Sequence, residues 1–399
     1  MIRILLFIAM VPAGFVRTAS AAEAGHAHGG AMAGAERSAQ AELGAQAAFD
    51  SNGILWAAHK SAGHIAVSRS EDRGSSWSRP VLVTSAPETT DTGGDARPKI
   101  ALGPAGAIYV TWTKPLAKPY TGEIKFSRSL DGGRTFSPPA VVHHDRREIT
   151  HRFDSLAVNA KGQVVVTWID KRDGVAAVAA KAPAYRGAAV YFAVSDDRGA
   201  TFRGDFKLAD NSCECCRIAL LCHQDGRVTA MWRHVFEPNI RDHAVAQFSP
   251  DGTAGPVRRV TFEEWRIDAC PHHGPAIAED AAGRLHAVWF SGAPESPGVY
   301  YGRLLENGVD GLRRIGGDAA AHADLAVTGQ RVAVAWKEFD GERTRLRGML
   351  STDGGEHWLD YELTATPGAS DYPRVLNLGD RFYVFWNTRE APLSVTPFP

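Results

Sequence analysis

Four of the five cysteines in this chain fall into two short stretches, Cys213-Glu214-Cys215-Cys216 and Cys270-Pro271-His272-His273. Thiolates and imidazoles are the side chains that hold soft and borderline metal ions. Together the two stretches offer four sulfurs and two rings, a set in which Cys213, Cys215, Cys216 and Cys270 ligate with His272 or His273. Soft sulfur favours Cu(I), with Zn(II) second. The spacing matches no zinc-finger pattern, and other uses of the same thiols stay open. Cys215 or Cys216 could bond to Cys270 as a disulfide staple in an oxidising compartment. A redox-active dithiol is a further use. Cys222 lies about 20 Å further along the chain at ~3.3 Å per residue, so it reads as a structural thiol.

For Cys213 and Cys270 to meet, the chain between them must be folded by a repeating unit, and the sequence contains one. Residues Arg97 to Pro139 hold three short alternating apolar runs, Ile100–Leu102, Ile108–Trp112 and Ile124–Ser127, with a fourth beginning near Phe136. Gly/Pro turns separate them, the pattern of a four-stranded antiparallel meander. Its last turn is Ser129-Leu130-Asp131-Gly132-Gly133-Arg134-Thr135-Phe136. The same S-x-D-x-G-x-x-W/F form returns at Ser70–Trp77, Ser195–Phe202 and Ser351–Trp358, with a relic at Ser249-Pro250-Asp251-Gly252. Asp and Ser accept backbone N–H groups there, Gly takes positive φ, and the aromatic ring pins the loop to the blade. A second signature is a tryptophan closing each second strand, at Trp112, Trp168, Trp232, Trp289, Trp336 and Trp386, with His59 in the matching place. These signals predict an all-β fold, a single β-propeller of four-stranded blades, with seven blades favoured over six. The seventh, opening at Tyr372, is partial, and an N-terminal strand is expected to close the ring.

A meander sends the segment before each innermost strand to one mouth of the central channel. Those segments are Asp95-Ala96-Arg97, Thr150–Asp154, Cys213–Arg217, Asp268–His273, His322-Ala323-Asp324 and Asp371–Arg374. Ionisable and sulfur-bearing residues recur in all six, so one concave site is expected there, binding a small ligand, a glycan or a metal. His151 and His322 flank the Cys/His set as reserve ligands. His143-His144-Asp145-Arg146-Arg147 lies on the same side and reads as a solvated loop or a wall of the site.

The repeated S-x-D-x-G-x-x-W/F turns resemble the Asp boxes, or BNR repeats, of the sialidase-like β-propeller superfamily. The resemblance covers roughly residues 45–390. It implies a propeller fold and, as the alternative to a metal- or ligand-binding role, an exo-alpha-sialidase type of glycoside hydrolase. Such enzymes grip the sugar carboxylate with three arginines, to which Arg97, Arg217 and Arg374 correspond here, with Arg152 competing. Bidentate guanidinium–carboxylate pairing is the physical basis of that grip. The resemblance puts the nucleophile at Tyr372 and its partner at Glu214, with His151 and His322 as further substrate contacts. This chain departs from the family's F/Y-R-I-P arginine motif. Blade one opens with Ala45-Gln46-Ala47-Ala48-Phe49, and Arg97-Pro98-Lys99-Ile100 is only a scrambled echo in blade two. Ordinary ion pairing with Asp95, Asp154 and Asp324 is the other reading of the same arginines.

The first 21 residues, with an early Arg, an apolar centre and an Ala19-Ser20-Ala21 end, read as a secretory signal peptide, which implies a periplasmic or secreted protein. Residues 22–44 are Ala/Gly-rich and read as a flexible leader, in which His26 and His28 could hold a metal loosely. With 44 basic and 45 acidic residues the formal net charge is -1, which gives no basis for nucleic acid or an anionic membrane as partner. No later segment is apolar for long enough to span a bilayer.

Overall fold

The computed structural model describes residues 43–399 except 183, 184 and 270. The expected signal peptide, His26, His28 and Cys270 therefore lie outside the described residues. Seven antiparallel sheets follow one another along the chain, six of four strands and a last of three. Their innermost strands are Gln46–Phe49, Lys99–Leu102, His151–Val158, Ala219–Cys222, Ala276–Glu279, Ala320–Thr328 and Arg374–Leu378. Each packs on the next, and the last packs on the first, so the sheets close into a seven-bladed propeller.

The tryptophan signature fills the seams. Trp112, Trp168, Trp232, Trp289, Trp336 and Trp386 are all at most 2% exposed. Each sits in an apolar cluster shared by its own blade and the preceding one. At the seventh seam the smaller side chains Ala45, Ala47, Leu55 and Ala57 meet Phe385. A flat, wide ring on a central strand covers both neighbours, which is why one residue type recurs at this position.

All four Asp boxes form the expected turn. In the second blade Ser129 Oγ donates to Asp131 Oδ1 at 2.7 Å and accepts Gly133 N–H at 2.9 Å, while Asp131 Oδ1 accepts Thr135 N–H at 3.0 Å. Gly133 has φ +77° and its Cα lies against Trp56 of the previous blade, so a side chain fits neither the backbone nor the space. The aromatic residue works differently from the expectation. Trp77 packs on Phe385, Phe202 on Phe126 and Trp358 on Tyr301. Each box is thus anchored to the preceding blade rather than its own. Phe136 likewise belongs to the turn, and the fourth strand it was expected to begin runs Ala140–Val141.

One other expectation needs correction. Among the described residues no N-terminal strand completes blade seven, whose sheet ends at Ser394–Pro397. Side chains close the ring instead. Ala45 N–H donates to Asp371 Oδ2 at 3.0 Å, Asn387 Nδ2 to the Leu43 carbonyl at 2.7 Å, and Arg97 Nη1 to the Ala45 and Tyr372 carbonyls at 3.0 Å each. The segment after Trp168 carries a helix, Arg172–Ala179. Among the described residues no helix is long and apolar enough to cross a membrane.

Candidate functional site: a channel mouth and a thiol cluster beside it

The segments that lead into the inner strands are conformationally strained. Phe153, His272 and His322 have φ of +53°, +54° and +56°, values that bulky residues seldom adopt. Register shifts accompany two of them, between Thr167 and Ile169 in blade three and between Ala321 and Asp324 in blade six. Bulges of this kind re-aim side chains at a barrel or propeller rim.

On the axis, arginines and aspartates neutralise one another. Asp95 is the hub. Its Oδ1 accepts Arg217 Nη1 at 3.1 Å, and its Oδ2 accepts the N–H of Gly274 at 2.9 Å and of Arg217 at 3.3 Å. Burial would raise the Asp95 carboxyl, but Arg217, Arg97 and these N–H groups together hold it below the usual range. Arg217 also lies 3.8 Å from Asp324, and Arg374 pairs with the same carboxylate at 3.1 Å. Arg97 pairs with Asp371 at 3.1 Å. Lys99 Nζ donates to the Asp95 and Arg97 carbonyls, and burial pulls its ammonium down to about 8. Asp154 departs from the expected arginine pairing and accepts the hydroxyls of Thr111 at 2.5 Å and Thr113 at 3.2 Å. A cavity of about 190 Å³ remains between these side chains.

Beside this network runs a column of rings from three blades. Tyr372 stacks on His322 at 3.4 Å, His322 on His273 at 4.1 Å, and His273 on Phe290 at 4.0 Å. The backbone of Gly94 runs so close to the Tyr372 ring that an added Cβ would stand 2.3 Å from it. Burial raises the Tyr372 hydroxyl and keeps it protonated. Glu214 is not its partner: the carboxylate is drawn to Lys171 at 2.5 Å, and no hydrogen bond or ion pair joins it to Tyr372. His151 is fully buried in the seam of blades two and three, stacked on His143 at 3.9 Å. His272 is exposed and leans toward Phe153, 6.1 Å between centroids. Arg152 pairs with Asp91.

The three described cysteines of the C-x-C-C run do converge. Their Sγ atoms lie within 4.8 Å of one another, Cys213 to Cys215 at 3.8 Å and Cys215 to Cys216 at 4.0 Å. No two of them are bonded to each other, since a disulfide needs about 2.05 Å. All three are at most 3% exposed, packed with Phe153, Ile218 and Trp232 between blades three and four. Arg241 Nη1 donates to Cys213 Sγ at 3.6 Å. The thiols of Cys215 and Cys216 also donate toward Cys213 and hold it well below the ordinary thiol range, with attraction from Arg233 and Arg241 added. Cys216, as donor to that sulfur, is pushed up. Neither His272 nor His273 belongs to this three-sulfur group. Cys222 stands apart in its strand, its thiol pushed up to about 11 by burial alone.

Sequence reading missed Arg233 and Arg241. Arg233 directly follows Trp232 at the end of a second strand, and Arg241 sits in the Glu237–Asp242 rim loop; neither position carries a motif. A second ion cluster was missed as well. Arg172, at the start of the inserted helix, pairs with Asp170 and Asp205 at 2.7 Å each.

No known family model matches the chain, and no curated protein matches it in sequence. Solved structures do match. A polysaccharide lyase of family PL25, an ulvan lyase, aligns over 90% of this chain and 92% of its own at 12% identity, with a TM-score of 0.54. An alpha-L-arabinanase from Penicillium chrysogenum, solved with arabinobiose, covers 75% of this chain and 92% of its own at 14% identity and TM-score 0.52. The alpha-L-arabinofuranosidase of Fusarium graminearum, in complex with an iminosugar inhibitor, gives 13% identity over the same shares, again at 0.52. At such identities what is common is the propeller fold.

Proposed function

We propose that this protein is an exported propeller that binds a soft metal ion, copper first and zinc second, through Cys213, Cys215 and Cys216. The observation that carries the reading is the spacing of the three sulfurs. Metal–sulfur bonds of about 2.3 Å hold thiolates roughly 3.8–4.0 Å apart in tetrahedral or trigonal sites. Two of the separations here are 3.8 and 4.0 Å before any ion is added. Rigid strands on both sides preorganise the group, and an apolar shell keeps water from the bound ion. Such a site suits sequestration or delivery of the ion. Cys270, adjacent in the sequence to His272 and His273, is the candidate for a further ligand.

The sialidase-type alternative finds less support in the geometry. Arg97, Arg217 and Arg374 each already face a carboxylate of the chain itself. The solved relatives that act on glycans keep that alternative testable, with turnover of a fluorogenic sialoside as the assay.

Protein purified without reductant and then titrated anaerobically with Cu(I) against a chromophoric chelator tests the metal reading. Uptake of about one equivalent, lost in the Cys215→Ser plus Cys216→Ser variant, is expected. Failure to compete for Cu(I) after mild reduction, with the fold intact by circular dichroism, overturns it.

A further inference from the structure

The three arginines of the channel network each pair with a carboxylate, but among the described residues two guanidiniums next to the thiols pair with none. Among the described residues neither Arg233 nor Arg241 lies within ion-pair distance of a carboxylate. Arg233 is 1% exposed, and its Nη atoms donate only to the carbonyls of Arg241 at 2.8 Å, His273 at 3.0 Å and Phe290 at 2.8 Å. Its Nε has no partner. The nearby acids are engaged elsewhere: Glu214 with Lys171, Asp242 with Arg259, and Asp268 with Asn239. Arg233 is buried and Arg241 half-buried, its Nε on Asn239 Oδ1 at 3.2 Å, and a cation shielded from water without a counter-charge is unfavourable, so negative charge from a neighbour stabilises both.

The thiols are that neighbour. Cys213 N–H donates to the Arg233 carbonyl at 2.9 Å, Arg241 Nη1 reaches Cys213 Sγ at 3.6 Å, and Arg233 Nη1 bonds the Arg241 carbonyl. The two arginines and the cysteine run are therefore one rigid unit. We infer that Arg233 and Arg241 are specificity-determining residues that make the thiol cluster select a monovalent soft ion over a divalent one. Three thiolates around a monovalent ion carry two net negative charges, and the two guanidiniums cancel them. With a divalent ion the same unit would keep one uncompensated positive charge in an apolar seam. The inference rests on the metal-binding reading above and adds what sets its selectivity.

Ag(I) and Cd(II) are soft ions that differ in charge, so their competition for the full chain in chloride-free buffer isolates the electrostatic term. Arg241→Gln should lower the Ag(I) to Cd(II) affinity ratio about tenfold or more, the effect of removing one charge a few ångströms from the ion. Arg241→Lys, which keeps the charge, should restore most of the ratio, and Arg233→Lys should leave it near the parent value. An unchanged ratio in Arg241→Gln, with normal melting and one ion still bound, overturns the selectivity assignment and leaves the metal site standing. Parent protein that prefers Cd(II) also overturns it, by showing a fourth thiolate. Uptake of neither ion sinks this inference together with the metal reading.

Discussion

The channel network and the thiol cluster are both buried and polar, both assembled from the segments that lead into inner strands, yet they are opposites in electrostatic completeness. Around the axis Arg97 meets Asp371, Arg217 meets Asp95 and Asp324, and Arg374 meets Asp324. Each of these arginines has its carboxylate, and the hub Asp95 also ties in the backbone of Gly274 from blade five. Between blades three and four, three sulfurs face one another with two unpaired guanidiniums behind them. The first arrangement is paired carboxylate to guanidinium, although Arg97 Nη2 and Asp371 Oδ1 keep no hydrogen-bond partner among the described residues, and it ties the blades together around the axis. On the proposed reading, the second takes up a metal ion among the sulfurs. The two regions differ in the partners of their cations: carboxylates around the axis, carbonyls and a thiol between blades three and four.

Removing the hub is the largest test of that contrast. Asp95→Ala leaves buried Arg217 with only the more distant Asp324 at 3.8 Å and strips the Gly274 N–H of its acceptor, and a loss of about 3–5 kcal/mol is expected in chemical denaturation. A loss of only a few tenths would mean that the network does not tie the blades together.

Lys337 gives a test by pH. Its ammonium is buried over the Tyr372 ring, 5.2 Å from the centroid, and burial pulls it from 10.5 to about 8. Between those values the unfolded chain holds a proton that the folded chain has released, so stability should climb as pH rises from about 8 toward 10.5. Below about 8 both states are protonated and the full cost of the buried charge is present. Lys337→Met should flatten the climb in thermal melts across that window, while an unaltered slope would place its origin elsewhere.

The smallest effect on folding is expected at the thiols themselves. A buried cysteine packs like a small apolar residue, so Cys216→Ala should cost only about 1 kcal/mol in denaturation while metal uptake falls away. A cost matching that of Asp95→Ala would make the cluster a structural clasp like the channel, and the contrast would disappear.

The sequence by itself determined the propeller, because its signals are local. Alternation sets strands, Ser and Asp in the box set their turn, and a tryptophan at each second strand marks a seam. Six such tryptophans in phase, with His59 in the matching place of blade one, leave little freedom in blade number, and the meander rule sends the lead-in segments to one mouth. The convergence of Cys213, Cys215 and Cys216 was legible for the same reason, since three thiols within four residues need only a local turn of the backbone to meet. What only the tertiary structure decided is which charges cancel. Arg97 and Asp371 are 274 positions apart in sequence, and Arg217 and Asp95 are 122. No local pattern says that they will pair, or that Arg233 and Arg241 will not. Ion pairing depends on distances of a few ångströms between side chains of different blades, and those distances are fixed by how the seams pack and how the ring closes.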